Sequence, residues 1–165
     1  MTELRELAKP FPSSLVERAP GGFGDFVTWS VKVEKLLATV GPFDWCIVRE
    51  ITDPDGTITG AVGRLTVTVD GVTVSVEGAG DVERPDILAN NGTRLKHAES
   101  DAISRAASKV GVALSLWSQD KYRLDRALDR KKEVDRLVEE EKRLDRARMR
   151  EEALGTALDE QEAEK

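Results

Sequence analysis

Residues 94–109 carry four cationic side chains and two carboxylates, and helical spacing would bring three of the cations to the side of one carboxylate, Asp101. At about 100° per residue, Arg94, Asp101 and Arg105 fall nearly on one line, and Lys109 lies at its edge. Guanidinium and ammonium groups in a row can hold successive phosphates of a nucleic-acid strand. The same spacing also fits a surface ion pair between Asp101 and Arg105, one helical turn apart. The pattern therefore leaves two interpretations open, a phosphate contact and a solvated salt bridge.

An apolar stripe runs along another side of the same segment. Its members are Leu95, Ala102, Ile103, Ala106 and Val110. Because alanine adds little bulk beyond the backbone, a helix with this stripe can lie close against a sheet. Gly111 directly follows the stripe, as is typical of a helix end. We therefore predict a packed helix over residues 93–110 with a basic margin.

Residues 96–117 read KHAESDAISRAASKVGVALSLW, and this stretch is similar to a known motif. It resembles the pattern S/T-D-G/A-L/I-x-R-A, followed by a Gly and a Leu-containing exit, of Rad-fifty-two-like single-strand annealing proteins. The matching positions are Ser100, Asp101, Ile103, Arg105, Ala106, Gly111 and Leu114. Where that family often has a second basic residue before the arginine, this chain has Ser104. The resemblance covers roughly residues 9–122 and is strongest at its C-terminal end.

The resemblance implies a protein that binds single-stranded DNA and anneals complementary strands in recombination or repair, without ATP. It implies a homo-oligomeric ring or filament and a phage or bacterial cytoplasmic setting. A phage exonuclease or a single-strand-binding protein would be a fitting partner. The family's groove arginine matches Arg105, and its arginine before a glycine cluster is similar to Arg18, which precedes Gly21 and Gly22.

Further cationic side chains are candidate phosphate contacts or, equally, solvated surface residues. They are Lys32, Arg64 and Lys96. Lys32 belongs to a predicted helix over residues 25–40, in which Trp29 recurs with aliphatic residues at helical spacing. That periodicity predicts Trp29 as a core residue rather than a platform on which a base would stack.

The chain has a net charge of −6, which argues against a polycation that binds DNA by charge alone. Any DNA site must therefore be a local basic groove within an acidic surface. Binding there should weaken steeply with salt, because phosphate contacts release counterions.

The composition offers little for an enzyme or a metal site, and we expect no cofactor. Cys46 and His97 are single occurrences, and Cys46 lies in an apolar run, so a disulfide, a metal centre and a thiol nucleophile are not expected. No glycine-rich loop ends in Lys-Ser or Lys-Thr, so an ATP-driven recombinase is not expected either. The turn and loop carboxylates lack recognisable ligand spacing for a Mg²⁺-dependent nuclease. These are Asp53, Asp55, Asp81, Glu83 and Asp86. No apolar run is long enough for a signal peptide or a membrane span.

The elements around the motif predict an α+β fold. Three strands, over residues 45–51, 58–69 and from residue 72 onward, alternate apolar and polar side chains, with Asp70-Gly71 as a hairpin turn. Several glycines would let this three-stranded antiparallel sheet curl around a helix. The order of helix, curled sheet and packed helix agrees with the annealing-protein core.

The C-terminal part differs in composition from the rest. Residues 121–165 are dominated by charged side chains, and we predict a long solvated helix, with a weak coiled coil as the alternative. Three regions follow from the sequence: an arm over 1–24, the annealing core over 25–120 and a charged helical tail over 121–165. A protein–protein adaptor that binds through this tail is the alternative function.

Overall fold

The computed structural model of the chain describes residues 2–19, 24–82, 87–88, 90–118 and 121–163, with side chains up to residue 150. Its helices are α1 (Glu3–Ala8), α2 (Trp29–Val40), α3 (Asn91–Lys109), α4 (Leu114–Ser118) and α5 (Leu124–Ala163). Its strands are β1 (Glu17–Arg18), β2 (Asp25–Phe26), β3 (Asp44–Thr52), β4 (Ile58–Val69) and β5 (Val72–Asp81). A 3-10 helix spans Ser13–Leu15.

The strands form two antiparallel sheets, a small hairpin of β1 and β2 and a three-stranded sheet in the order β3-β4-β5. The turn between β4 and β5 has positive φ at both Asp70 (50°) and Gly71 (79°). This is the backbone of a type I′ hairpin turn, which the sequence of the two residues predicted. The prediction of an α+β fold with a three-stranded antiparallel sheet is confirmed.

The boundaries of two elements differ from the sequence-based expectation. The predicted helix over residues 25–40 begins only at Trp29, because Asp25 and Phe26 pair with β1 instead. The third strand continues through Gly78 and Gly80 to Asp81. Both glycines interrupt the alternation of side chains that located this strand, so the pattern did not show how far it extends.

Those two glycines let α3 lie directly on β5. A Cβ atom at Gly78 would stand 2.1 Å from the carbonyl oxygen of Ala102, and one at Gly80 would stand 2.0 Å from that of Ala98. Ala98, Ala102 and Ala106 are fully buried along this contact. The predicted close approach of an alanine-lined helix to a sheet is therefore confirmed, and glycines on the strand complete it.

The main core lies between α3, the sheet and the N-terminal helices. Leu7 of α1, Leu36 of α2 and Leu65 of β4 are fully buried in it. The cluster also contains Val67, Ala106, Ala107, Val110, Val112 and Ala113. Leu7 belongs to the segment predicted as an arm, so at least α1 of that segment packs into the core.

Hydrogen bonds tie the N-terminal segment to distant parts of this unit. The Asp70 carboxylate accepts the backbone N–H groups of Thr2, Glu3 and Leu4 at 2.6, 3.0 and 3.2 Å, which satisfies donors at the start of α1. The hydroxyl of Tyr122 donates to the carbonyl of Ala8. Burial raises the pKa of Tyr122 to about 12.

The chain divides into two compact units, Met1–Asp125 and Arg126–Lys165. The second unit consists of α5, whose described side chains are exposed from Arg130 to Arg150. Ion pairs one turn apart support it, among them Arg136 with Glu133 at 2.7 Å and Lys142 with Glu139 at 3.0 Å. A long helix with many local ion pairs is what the charge pattern predicted.

Candidate nucleic-acid interface

Asp101, Arg105 and Lys109 follow one another at intervals of four along α3. Nε of Arg105 donates to Oδ2 of Asp101 over 3.0 Å, so the predicted ion pair is present. The Arg105 side chain is nevertheless 47% exposed. Among the described residues, no other group bonds to its terminal nitrogens. Arg105 therefore keeps donors with which it can hold a phosphate.

This row of side chains runs along the outer edge of β5. The Asp101 carboxylate accepts the backbone N–H of Asp81 at 3.2 Å, and Nζ of Lys109 donates to the backbone carbonyl of Glu77. Because β5 is the last strand in the order β3-β4-β5, these backbone groups face away from the sheet. The two contacts place the charged row of α3 beside the strand edge.

Glu77 connects the row to the sheet. Its carboxylate accepts Arg64 of β4 through Nη2 at 2.8 Å, while its backbone carbonyl accepts Lys109. The hydrogen bond and the charge of Glu77 raise the pKa of Arg64. The Arg64 side chain is 47% exposed, so this cation also keeps an accessible surface.

Lys32 of α2 is a buried cation on which the Asp101 carboxylate acts by its charge. Its surface is only 7% exposed, although its ammonium is charged at neutral pH when unperturbed. Burial lowers the pKa of Lys32, and the nearby Asp101 carboxylate acts in the opposite direction. Among the described residues, Lys32 forms no ion pair within 4 Å, so its charge is offset only at longer range.

Two groups of contacts lie along α3 and β5: Asp101 with Arg105, and Glu77 with Lys109 and Arg64. The Asp101 charge also acts on the buried Lys32. We call these four cations and two carboxylates the basic track. Its cations are Lys32, Arg105, Lys109 and Arg64, and its carboxylates are Asp101 and Glu77.

Arg105 and Lys109 are exposed beside the edge of β5, whereas Lys32 on α2 is only 7% exposed. Arg64 lies on the face of the sheet away from α3, because the next residue, Leu65, is buried on the α3 side. The basic track carries a positive excess within a chain whose net charge is −6. The sequence predicted a local basic groove within an acidic surface as the DNA site, and that assignment stays a prediction.

Arg94 is placed differently, although it lies on the same line of α3. Its Nε donates to the carbonyl of Leu88 at 2.8 Å, and Nη1 donates to that of Ile58 at 3.4 Å. The guanidinium therefore joins α3 to the loop before it and to the start of β4. Holding these backbone carbonyls is a structural task, and we leave Arg94 out of the basic track.

Two further cations that the sequence predicted as DNA contacts, Arg18 and Lys96, lie outside the basic track. Arg18 is exposed in β1, opposite Asp25 of β2. Lys96 is exposed on α3, about 160° around the helix from Ala98 at 100° per residue. No contact among the described residues joins either cation to Arg105 or Lys109.

Trp29 corrects the sequence-based expectation of a core residue, because 49% of its surface is exposed. The expected helix began at residue 25 and would have placed Trp29 in its second turn. The observed helix begins at Trp29 itself, so the ring stands at its end. Glu77 was missed for another reason: its two cationic partners come from other elements, which a local pattern cannot reveal.

The remaining candidates for chemistry include one thiol and several carboxylates. Among the described residues, no group of three or more His, Cys, Asp or Glu side chains could hold a metal ion. Cys46 is exposed on β3 opposite Arg64, not buried in an apolar run. Asp53 and Asp55 lie at the β3–β4 turn. Glu83 and Asp86, which completed the hypothetical nuclease set, lie outside the described residues.

Neither the known protein-family models nor the curated proteins include a match to this chain. Among the described helices, none has the length and apolar composition that crossing a bilayer requires. The basic track and the motif of residues 100–117 are therefore the two features of the chain that bear on its function.

Proposed function

We propose that this chain binds single-stranded DNA along the basic track and promotes the annealing of complementary strands during recombination or repair. The observation that carries the proposal is the pair of exposed cations, Arg105 and Lys109, beside the β5 edge of an otherwise acidic chain. Lys32 and Arg64 add positive charge around this pair. The resemblance of residues 100–117 to annealing proteins supplies the reaction. Annealing requires a protein that binds the DNA backbone, and it requires no covalent chemistry.

The ion pairs of the basic track are compatible with reversible binding of phosphates. Exposed pairs such as Arg105–Asp101 and Arg64–Glu77 contribute little to stability, so a phosphate can share the guanidinium at little cost. The two carboxylates limit the net positive charge, which keeps binding reversible. An annealing protein needs this, since it must release the product duplex.

The finer features of the fold and setting belong to the same proposal. The helix–sheet–helix order, with α3 seated on the glycines of β5, supports an annealing-protein core with a curled sheet. No enzymatic step is required, and a phage or bacterial cytoplasmic location fits the role. A phage exonuclease or a single-strand-binding protein would supply or protect the strands.

Assembly into a ring or filament is part of the proposal, since a track of four cations reaches only a few nucleotides. An apolar cleft of about 340 Å³ lies between β5 and the end of α3. Val72, Val74 and Val76 line it together with Lys109, and Val72 is 61% exposed. Because Lys109 belongs to both cleft and track, a second copy seated there would continue the track. Light scattering of wild type and Val72→Asp tests this; an unchanged mass would contradict it.

A protein–protein adaptor remains the second candidate, favoured by apolar side chains on α5. Val134, Leu137, Val138, Leu144 and Met149 are all 41–67% exposed on this helix. Exposed aliphatic side chains of this number on one helix are typical of a surface that binds another helix. An adaptor of this kind would show no saturable binding of single strands in dilute salt.

The decisive experiment combines binding with annealing. A fluorescent single strand is titrated with the full chain at several salt concentrations, and annealing of complementary strands is followed by energy transfer between two dyes. We expect saturable, salt-sensitive binding and faster annealing. Absence of both effects would reject the proposed function.

Annealing should proceed at the same rate with and without ATP. The sequence contains no glycine-rich loop that ends in Lys-Ser or Lys-Thr, so no such cradle for a triphosphate is encoded. The assay is run with desalted protein, with and without added ATP and Mg²⁺. An absolute requirement for ATP would contradict this prediction.

A further inference from the structure

We propose that Trp29 is a stacking platform for one base of the bound strand, at the α2 end of the basic track. This inference rests on the proposed function and adds a contact of a different chemical kind. The ring is half exposed, at 49%, whereas Leu36 on the same side of the helix is fully buried.

The position of the ring on α2 supports the inference. At 100° per residue, Trp29, Lys32 and Leu36 fall within an arc of about 60°, so all three belong to one side of the helix. Lys32 and Leu36 are buried there, and α2 contacts α3. Trp29 is the first residue of the helix, where the packed side ends. A large ring is thus presented at the margin of a buried surface.

The ring also lies close to a cation of the track. Residues three apart on a helix have Cβ atoms about 5–6 Å apart, so Trp29 is a neighbour of Lys32. Lys32 itself is only 7% exposed, so the phosphate contact falls to Arg105, whose partner Asp101 acts on Lys32 across the α2–α3 contact. A nucleotide held there can reach Trp29 with its base. Basic grooves that bind single strands commonly combine phosphate contacts with aromatic rings, because every base has a face that can stack.

The test measures affinity for two strands of equal length and charge. One is oligothymidine, and the other is an abasic strand with the same number of phosphates. Both are titrated with full-length wild type, Trp29→Ala, Trp29→Leu and Trp29→Phe. The matched control is Trp117→Ala, which removes another exposed tryptophan (64%) from α4. Melting curves identify any variant that fails to fold, and the Leu and Phe variants preserve apolar bulk.

We expect Trp29→Ala and Trp29→Leu to lower the affinity for oligothymidine about 5- to 100-fold, as the loss of one stacked base does. Both should leave abasic binding and the salt slope unchanged, because stacking releases no counterions. Trp29→Phe should keep most of the affinity, and Trp117→Ala all of it. Tryptophan fluorescence should fall on binding oligothymidine in a Trp117→Phe background.

Equal effects of Trp29→Leu on both strands, or no effect on either, would overturn the stacking role while the proposed function stands. A change in oligomer mass with unchanged DNA affinity would likewise overturn it and assign the ring to a protein contact. If wild type binds neither strand, the proposed function fails, and this inference fails with it.

Discussion

At the scale of single residues, Asp101 decides how the basic track behaves. Its carboxylate accepts the Asp81 backbone N–H and the Arg105 side chain, and its charge also acts on Lys32. One carboxylate therefore binds the last residue of β5, pairs with Arg105 and acts by its charge on Lys32. Because the Arg105 guanidinium is shared and still half exposed, its role as an ion-pair partner does not compete with a phosphate contact.

Replacing Arg105 with alanine should lower single-strand affinity and reduce the slope of log K against log salt by about 0.7, the value for one phosphate on a single strand. The free energy of unfolding should fall by only a few tenths of a kcal/mol, as for an exposed helical ion pair. Affinity, salt slope and melting temperature are measured on the same preparation.

The matched control for this variant is Arg136→Ala, which removes an exposed, ion-paired arginine from α5. It should cost similar stability and leave DNA binding unchanged. Equal binding losses in the two variants would mean that overall charge, rather than the Arg105 contact, governs affinity.

Lys32 should show opposite effects on stability and on binding. Replacing it with methionine removes a buried charge at nearly constant length, so the variant should be more stable at pH 7 by about 1 kcal/mol. Single-strand affinity should nevertheless fall, because one cation of the track is lost. Chemical denaturation and strand titration of the same samples measure the two effects.

The pH dependence of this stability difference follows from the lowered pKa of Lys32. Between the folded pKa and the ordinary value of 10.5, the unfolded chain binds more protons than the folded one, so wild-type stability rises with pH. Methionine does not titrate, and the advantage of Lys32→Met should therefore shrink as the pH approaches 10.5. An advantage independent of pH, or a less stable variant at pH 7, would contradict the burial argument.

At the scale of elements, the contact between α3 and β5 positions the track. Backbone lies almost against backbone here, because glycines on the strand face alanines on the helix. Arg105 and Lys109 reach the strand edge only because this approach is so close. A larger separation would remove the Lys109 contact with Glu77 and spread the cations apart.

Gly78→Ala should destabilise the fold by about 3 kcal/mol, the upper end of the usual range for overpacking. The added Cβ atom would meet the Ala102 carbonyl at 2.1 Å and the Ala106 nitrogen at 2.6 Å, and neither backbone group can move by itself. Thermal and urea unfolding measure the loss. Because the helix must shift, single-strand affinity should fall as well, even below the unfolding transition.

Gly92→Ala provides the control, since it places the same methyl group on α3 in ordinary contact, 3.4 Å from the Asn90 side chain. It should be neutral or slightly stabilising, because alanine suits a helix better than glycine. Similar destabilisation by both variants would show that the close contact is not what holds α3 in place.

At the scale of the whole molecule, the chain consists of a packed unit that carries the track and a separate long helix. Different interactions stabilise the two units. Buried apolar side chains hold the first, whereas local ion pairs and helix propensity hold the second. We therefore expect the first unit to fold when most of α5 is removed.

Ending the chain at Arg130 should leave a cooperatively folded protein that binds single strands with an affinity within about threefold of wild type. Such a change corresponds to less than about 1 kcal/mol. This truncation retains Tyr122, whose hydroxyl donates a hydrogen bond to the Ala8 carbonyl, so residue 122 stays attached to the end of α1. Circular dichroism, melting and strand titration test the prediction. An insoluble product would show that α5 is required for folding.

The sequence by itself determined the local structure of this protein. Alternation of apolar and polar residues located β4 at Ile58–Val69, and Asp70-Gly71 specified the turn after it. The small-residue stripe and Gly111 located α3 to within two residues at its start and one at its end. Each of these features depends on neighbours within a few positions, which is the range over which periodicity and turn preferences act. The Asp101–Arg105 pair, four residues apart, belongs to the same class.

Only the tertiary structure decided which cations share a carboxylate or a strand edge. Glu77 lies 13 residues from Arg64 and 32 from Lys109, and it meets both because β5 pairs with β4 and packs under α3. The same packing buries Lys32, and the pairing of residues 25 and 26 with β1 leaves Trp29 exposed at the first turn of α2. Burial and long-range pairing depend on the arrangement of whole elements, which no local spacing specifies.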